Sequence, residues 1–137
     1  IKKTSWPGRL EILNYYNKKV ILDGSHNVDG AKKLKEFLKI KDIQPVVLFG
    51  MLNNKKLEFF LKLIRNQIIK ILAIKIPNEK NAFIADEISK KCALLSIKCI
   101  KIKNINEGLN YIKNSDQNYF LITGSLYLVG KIREKFL

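Results

Sequence analysis

The sequence has only two cysteines, one histidine and three arginines among 137 residues, and each scarcity excludes something. Two thiols are too few for a disulfide framework, and the spacing of Cys92 and Cys99 fits no zinc motif. One sits in an expected helix and the other near an expected strand, so both read as buried free thiols of a reducing cytoplasm. No apolar run approaches the roughly 20 residues that a membrane helix needs. No signal peptide stands at the start, and Ile1-Lys2-Lys3-Thr4-Ser5 reads as a cut through a longer chain. The phosphate-loop pattern Gly-x-x-x-x-Gly-Lys-Ser/Thr is missing. So is the Gly-x-Ser-x-Gly elbow of a hydrolytic serine. No carboxylate cluster suggests a complete magnesium site, and no metal ligand set is expected.

What is present is lysine, with isoleucine and asparagine. The formal net charge is +14, which raises a nucleic-acid reading. Lysine supplies 23 of the 26 basic residues, leaving Arg9, Arg65 and Arg133. The lysines are spread through every segment, as in a solvated surface, whereas base readers lean on arginine for bidentate contacts. A basic α/β nucleic-acid-binding module therefore stands as the rival from another class. With 47% hydrophobic residues the chain has enough apolar mass for one folded domain, residues 1–137.

The apolar pattern alternates between two periods. An apolar stretch from Arg9 to Tyr16, a turn at Asn17-Lys18 and a strand over Lys19–Asp23 predict an antiparallel pair. A helix follows Asn27, with Ala31, Leu34, Phe37 and Leu38 on one face. Val46–Gly50 is continuously apolar, as a strand buried on both faces requires. Leu57, Phe60, Leu61 and Ile64 then mark a helix stripe. Ile68 to Ile76 holds a strand, and Asn81 is expected to cap a helix carrying Ala85, Ile88 and Cys92. A strand over Ile97–Ile102, a helix through Ile105, Leu109 and Ile112, a strand over Tyr119–Thr123 and a terminal helix complete the chain. The order β-β-α-β-α-β-α-β-α-β-α predicts an α/β sandwich: a six-stranded sheet, mostly parallel, with one antiparallel strand. Such sheets bind ligands beyond the carboxyl ends of their strands.

Three motifs fall at those ends. In Asp23-Gly24-Ser25-His26-Asn27 a strand delivers an acid, a glycine permits a sharp turn, and polar groups open a helix whose amides attract anions. Asp23 can accept from ribose hydroxyls, and His26 can donate to a phosphate or carboxylate; Asp and Asn are equally ordinary turn formers and caps. In Phe49-Gly50-Met51-Leu52-Asn53-Asn54-Lys55-Lys56, Lys55 can pair with a substrate carboxylate or be one more solvated lysine. In Thr123-Gly124-Ser125-Leu126-Tyr127, Ser125 can bind an anion at a helix start or simply cap it. Arg9, in Trp6-Pro7-Gly8-Arg9, stands out in a lysine-rich chain and suits a planar phosphate contact. Trp6 suits packing against a neighbouring domain or a base.

Taken in order, Trp6-Pro7-Gly8-Arg9-Leu10-Glu11, the Asp23–Asn27 turn, Phe49-Gly50 with Lys55, and Thr123–Tyr127 resemble the C-terminal domain of folylpolyglutamate synthase and dihydrofolate synthase, within the Mur ligase superfamily. The resemblance covers nearly the whole chain. It implies a Rossmann-like domain of a cytoplasmic two-domain enzyme, with a monomer expected. A separate N-terminal domain would carry the phosphate loop and most Mg2+ ligands. ATP would activate dihydropteroate or folate as an acyl phosphate, and the amine of L-glutamate would displace phosphate. Arg9 is then similar to the arginine near the ATP phosphates and Asp23 to the acid on the ribose. His26 is similar to the histidine at the interdomain site. Lys55 and Ser125 are similar to candidates for the glutamate carboxylates. The sequence departs from the family pattern in having Ser25 and Val28 where Ala and Pro are usual, and in lacking an acid beside Lys55 at Asn54. A peptidoglycan-type amino-acid ligase is the alternative within the superfamily.

Overall fold

The computed structural model of the chain describes residues 9–136; Trp6 and its neighbours lie outside them. Six strands and five helices form in the expected order. They are β1 (Glu11–Tyr15), β2 (Lys18–Asp23), α1 (Val28–Lys41), β3 (Val46–Phe49), α2 (Leu57–Ile64), β4 (Lys70–Ala73), α3 (Ala85–Leu94), β5 (Cys99–Lys101), α4 (Ile105–Asn114), β6 (Tyr119–Thr123) and α5 (Leu126–Glu134). A short 3₁₀ turn, Arg65–Gln67, continues α2. The sheet order is β1-β2-β6-β3-β4-β5. Only β1 runs antiparallel, against β2; β2–β6, β6–β3, β3–β4 and β4–β5 are parallel.

Continuous apolar strands follow from a sheet covered on both sides. Alternate residues feed two separate cores. Val20, Leu22, Val46, Leu48, Phe120 and Ile122 meet Ile105, Leu109 and Ile112 of α4 and Leu128, Val129 and Ile132 of α5. Ile21, Val47, Phe49, Ile71 and Leu121 meet residues of α1, α2 and α3 on the other face. Phe49 and Phe60 anchor this second core, their ring centroids 5.6 Å apart. The result is the expected three-layer sandwich.

Two local expectations shift. The first hairpin turns at Tyr16-Asn17, one residue earlier than expected, because Tyr15 pairs with Lys18. Both turn residues have positive φ, 48° and 66°, the geometry that matches the twist of a two-residue hairpin. A tyrosine tolerates it with support from either side: Tyr15 packs edge-on at 4.7 Å and the Lys113 ammonium lies 4.8 Å above the ring. Asn81 does not cap α3. Its carbonyl accepts from Asn53 N at 2.7 Å, and an isolated antiparallel bridge joins Leu52 to Ala82. The chain is thus committed to the neighbouring loop until Phe83, and α3 starts later. Ile84 is extended, and Glu87 Oε1 accepts from its N–H at 2.9 Å. Cys92 is fully buried, whereas Cys99 is only partly so.

Candidate functional site

The sheet order creates the site. From β2 the chain crosses to β3, β4 and β5 with α1, α2 and α3 on one face, then returns through α4 to insert β6 between β2 and β3. A crevice opens where the winding direction changes, at the carboxyl ends of the strands. The three motifs end neighbouring strands there, in register: Asp23 opposite Thr123, and Thr123 opposite Phe49.

Glycines let the three ends close up. Gly124 has φ 107°, and a Cβ there would lie 2.2 Å from the Gly50 carbonyl oxygen. A side chain is therefore excluded by both backbone conformation and space. A Cβ on Gly50 would in turn lie 2.9 Å from the Ile74 carbonyl oxygen. Backbone bonds continue the ladder past the strands, with Gly124 N donating to Ser25 O at 3.1 Å and Ile74 N to Phe49 O at 3.0 Å.

Asp23 is 3% exposed. Its Oδ1 accepts from Ser25 N at 2.8 Å and from the Ser25 hydroxyl, and its Oδ2 accepts from Leu10 N at 3.1 Å. The His26 ring is half-buried, with Nδ1 3.0 Å from the Gly24 carbonyl oxygen. Because a carbonyl only accepts, Nδ1 carries the proton of that bond, and Nε2 holds the lone pair of the neutral ring. Asn27 caps α1, its Oδ1 accepting from Gly30 N at 2.8 Å. Ser125 caps α5, its Oγ accepting from Tyr127 N at 3.0 Å and Leu128 N at 3.5 Å. Two helix N-termini, with their partial positive charge, thus sit at one edge.

His26, Lys55 and Ser125 line a single hollow of about 440 Å³ together with Leu52, Gly124, Leu126 and Tyr127. An adjoining hollow of about 360 Å³ adds Asn27, Asn54 and Lys56 to His26 and Lys55. Among the described residues no side-chain hydrogen bond or ion pair holds Lys55, so its ammonium is available to an anion. Leu126 and Tyr127 are exposed at the mouth. A larger hollow of about 760 Å³ lies along β5 and α4, but none of the three motifs reaches it. Arg9 is exposed, one residue before the Leu10 amide that bonds Asp23, which places it at the entry to β1 beside the end of β2.

Two participants went unnoticed in the sequence. Thr123 Oγ1 is buried without a hydrogen-bond partner at the centre of the three motifs; a strand-end Thr gives no sequence signal for this. Glu11, 6% exposed, pairs with both Nε and Nη2 of Arg133 at 3.1 and 3.2 Å, tying the start of β1 to α5. The rarity of arginine was the available clue. Glu11 holds the guanidinium of Arg133 above its ordinary pKa through that hydrogen bond and the opposite charge.

Among the described residues no group of three His, Cys, Asp or Glu side chains is arranged to hold a metal ion. No described helix is long and apolar enough to cross a membrane.

Residues 9–135 match the family model described as dihydrofolate synthetase, C-terminal domain. The dihydrofolate synthase/folylpolyglutamate synthase of Bacillus subtilis is 32% identical over 97% of this chain and 31% of its own length. The chain thus spans about a third of the curated relatives it matches. The crystal structure of folylpolyglutamate synthase from Thermotoga maritima superposes with a TM-score of 0.82 at 26% identity, over 95% of this chain and 30% of that one. A bifunctional folylpolyglutamate synthase/dihydrofolate synthase solved with Mn, AMPPNP and L-glutamate bound has a TM-score of 0.75 at 18% identity, over 96% of this chain and 32% of that one, a likeness of fold. These matches favour neither the peptidoglycan-type ligase nor the nucleic-acid module.

Proposed function

This chain belongs to the dihydrofolate synthetase family as a C-terminal domain, and from that premise we propose that it forms one wall of an ATP-dependent ligase joining L-glutamate to dihydropteroate, to folate or to both. The observation that carries the reading is the convergence of His26, Lys55 and Ser125 on one hollow at the switch point, with two helix N-termini beside it. Such an edge suits anions: ATP phosphates, an acyl phosphate and the carboxylates of glutamate. No phosphate loop is present in this sequence, so a partner domain of the same enzyme supplies it across a cleft. The divalent metal of such a ligase would be held there too, since among the described residues no cluster of three His, Cys, Asp or Glu side chains offers it a site.

In the proposed reaction the carboxylate of the pteroate or folate attacks the γ-phosphorus of ATP, releasing ADP and leaving an acyl phosphate. The glutamate amine attacks the acyl carbon, the amide forms, and phosphate departs. In-line positioning and charge neutralisation supply the catalysis. Arg9 contacts the ATP phosphates and Asp23 the ribose. His26, with Nδ1 anchored on Gly24 O, faces phosphate or the incoming glutamate and can take the proton that the amine sheds. Lys55 and Ser125 hold glutamate carboxylates.

The test joins this chain to a phosphate-loop domain of the family and follows phosphate release. Release that requires both L-glutamate and dihydropteroate or folate is expected, with none from the isolated chain. Release with a UDP-muramyl substrate instead would overturn the reading.

A further inference from the structure

Asp23 is turned inward more than a ligand contact requires. Of the roughly four lone-pair directions of a carboxylate, three are engaged by Ser25 N, the Ser25 hydroxyl and Leu10 N. The Leu10 bond spans 13 residues, and the amide it holds is the peptide unit that joins Arg9 to Leu10. Leu10 has φ 53°, a left-handed conformation that a leucine adopts only where its surroundings enforce it. The next residue is also clamped, since Glu11 is locked onto Arg133 of α5. The chain leaving Arg9 is therefore fixed on its first peptide by β2 and on its second residue by α5.

Ser25 completes the clamp from behind. A Cβ on Gly30 would lie 2.8 Å from Ser25 Cβ and 2.9 Å from its Oγ, so the first turn of α1 is shaped around the serine that bonds Asp23. The hydroxyl adds a donor to Asp23 Oδ1 and fixes the rotamer that aims Oδ2 at Leu10.

We infer that Asp23 is a positioning residue for Arg9: through Oδ2 it holds the Arg9–Leu10 peptide in its left-handed geometry and so aims the guanidinium at the nucleotide phosphates. This rests on the phosphate role proposed for Arg9. It is separate from a ribose contact, for which the carboxylate retains one lone-pair direction. The two make different predictions when the donor is removed and the acid is left in place.

The experiment uses the two-domain ligase and replaces the Leu10 backbone amide by an ester, through incorporation of the α-hydroxy acid analogue of leucine. This deletes the N–H and keeps Asp23. The ATP KM is expected to rise about tenfold, the glutamate KM to stay within about twofold, and 2′-deoxy-ATP to show the same rise. In an Arg9→Ala background the ester is expected to add nothing, because the clamp acts through the missing guanidinium. An equal rise in both backgrounds, or no rise in either, overturns the inference. If the ester protein does not fold, Asp23→Asn in the two backgrounds serves, assayed with 2′-deoxy-ATP and ATP. A rise that persists without Arg9 then assigns Asp23 to the nucleotide alone and also overturns it. A ligase that shows no glutamate-dependent phosphate release at all sinks the proposed function instead, an outcome read before any variant is made.

Discussion

The two ends of the sheet are made from the same strands and treat their polar groups in opposite ways. At the amino end, lysines are tied down internally. Lys18 Nζ donates to the Ser115 carbonyl at the end of α4, Lys70 Nζ to the Tyr111 hydroxyl at 3.1 Å, and Lys113 covers the Tyr16 ring. At the carboxyl end the backbone is drawn tight by Gly50 and Gly124, the Ser125 cap of α5 is buried, and Lys55 is left facing a hollow. Apolar Leu126 and Tyr127 are exposed beside it. One end closes the fold on itself; the other uses glycine turns to bring three strand ends together and presents polar groups outward.

The sharpest way to break that contrast is Gly124→Ala. The new Cβ meets the Gly50 carbonyl oxygen at 2.2 Å with φ at 107°, and the expected loss exceeds about 3 kcal/mol in a denaturant titration. Gly130→Ala, in α5 with nothing within 4 Å of the new Cβ, is expected to stabilise by about 0.5–1 kcal/mol. Next in size is the lysine comparison in the two-domain ligase. Lys55→Ala should raise the glutamate KM about tenfold, whereas Lys70→Ala, at the silent end, should leave it within about twofold. Equal effects would erase the distinction between the ends. Smaller again are the serines. Ser125→Ala removes a buried cap and should lower stability by about 1 kcal/mol. Ser115→Ala removes only an exposed bond to Gln117 N and should lie within about 0.5 kcal/mol of the parent.

The smallest effect tests a thiol on β5, an outermost strand. The neighbouring Cys92 thiol draws the Cys99 pKa down to about 7 from an ordinary 9.0, while Cys92 is pushed up by its interaction with Cys99 and by burial. Since the thiolate is the nucleophile, alkylation of Cys99 should rise with pH and reach half its limiting rate near pH 7. Cys92 should stay unmodified until the chain unfolds. A half-maximum near 9, the ordinary value, would remove the pairing.

Much of this fold was legible because its signals are local. Continuous apolar runs at Val46–Phe49 and Tyr119–Thr123 require a parallel sheet covered on both faces, and the helix stripe at Leu57, Phe60, Leu61 and Ile64 is buried as its spacing demands. Asn81 misled because its propensity to cap is weaker than the bridge that its loop makes with Leu52 and Asn53, a partner roughly thirty residues away in sequence that no window contains. Tyr16 misled because turn residues are expected to be small, and here an aromatic is held at positive φ by neighbours from α4 and β1.

The candidate site divides along the same line. The hydrophobic period alone locates Asp23, Gly50 and Thr123 at the strand ends, and the ordered motifs carried the family resemblance. The fold places β6 between β2 and β3, which brings Asp23 beside Thr123 and Thr123 beside Phe49. It alone showed that Asp23 reaches back to Leu10 and that Glu11 meets Arg133 across the chain. The physical reason is that periodicity reports burial one element at a time, whereas a buried carboxylate takes whichever donors the sheet order places within reach.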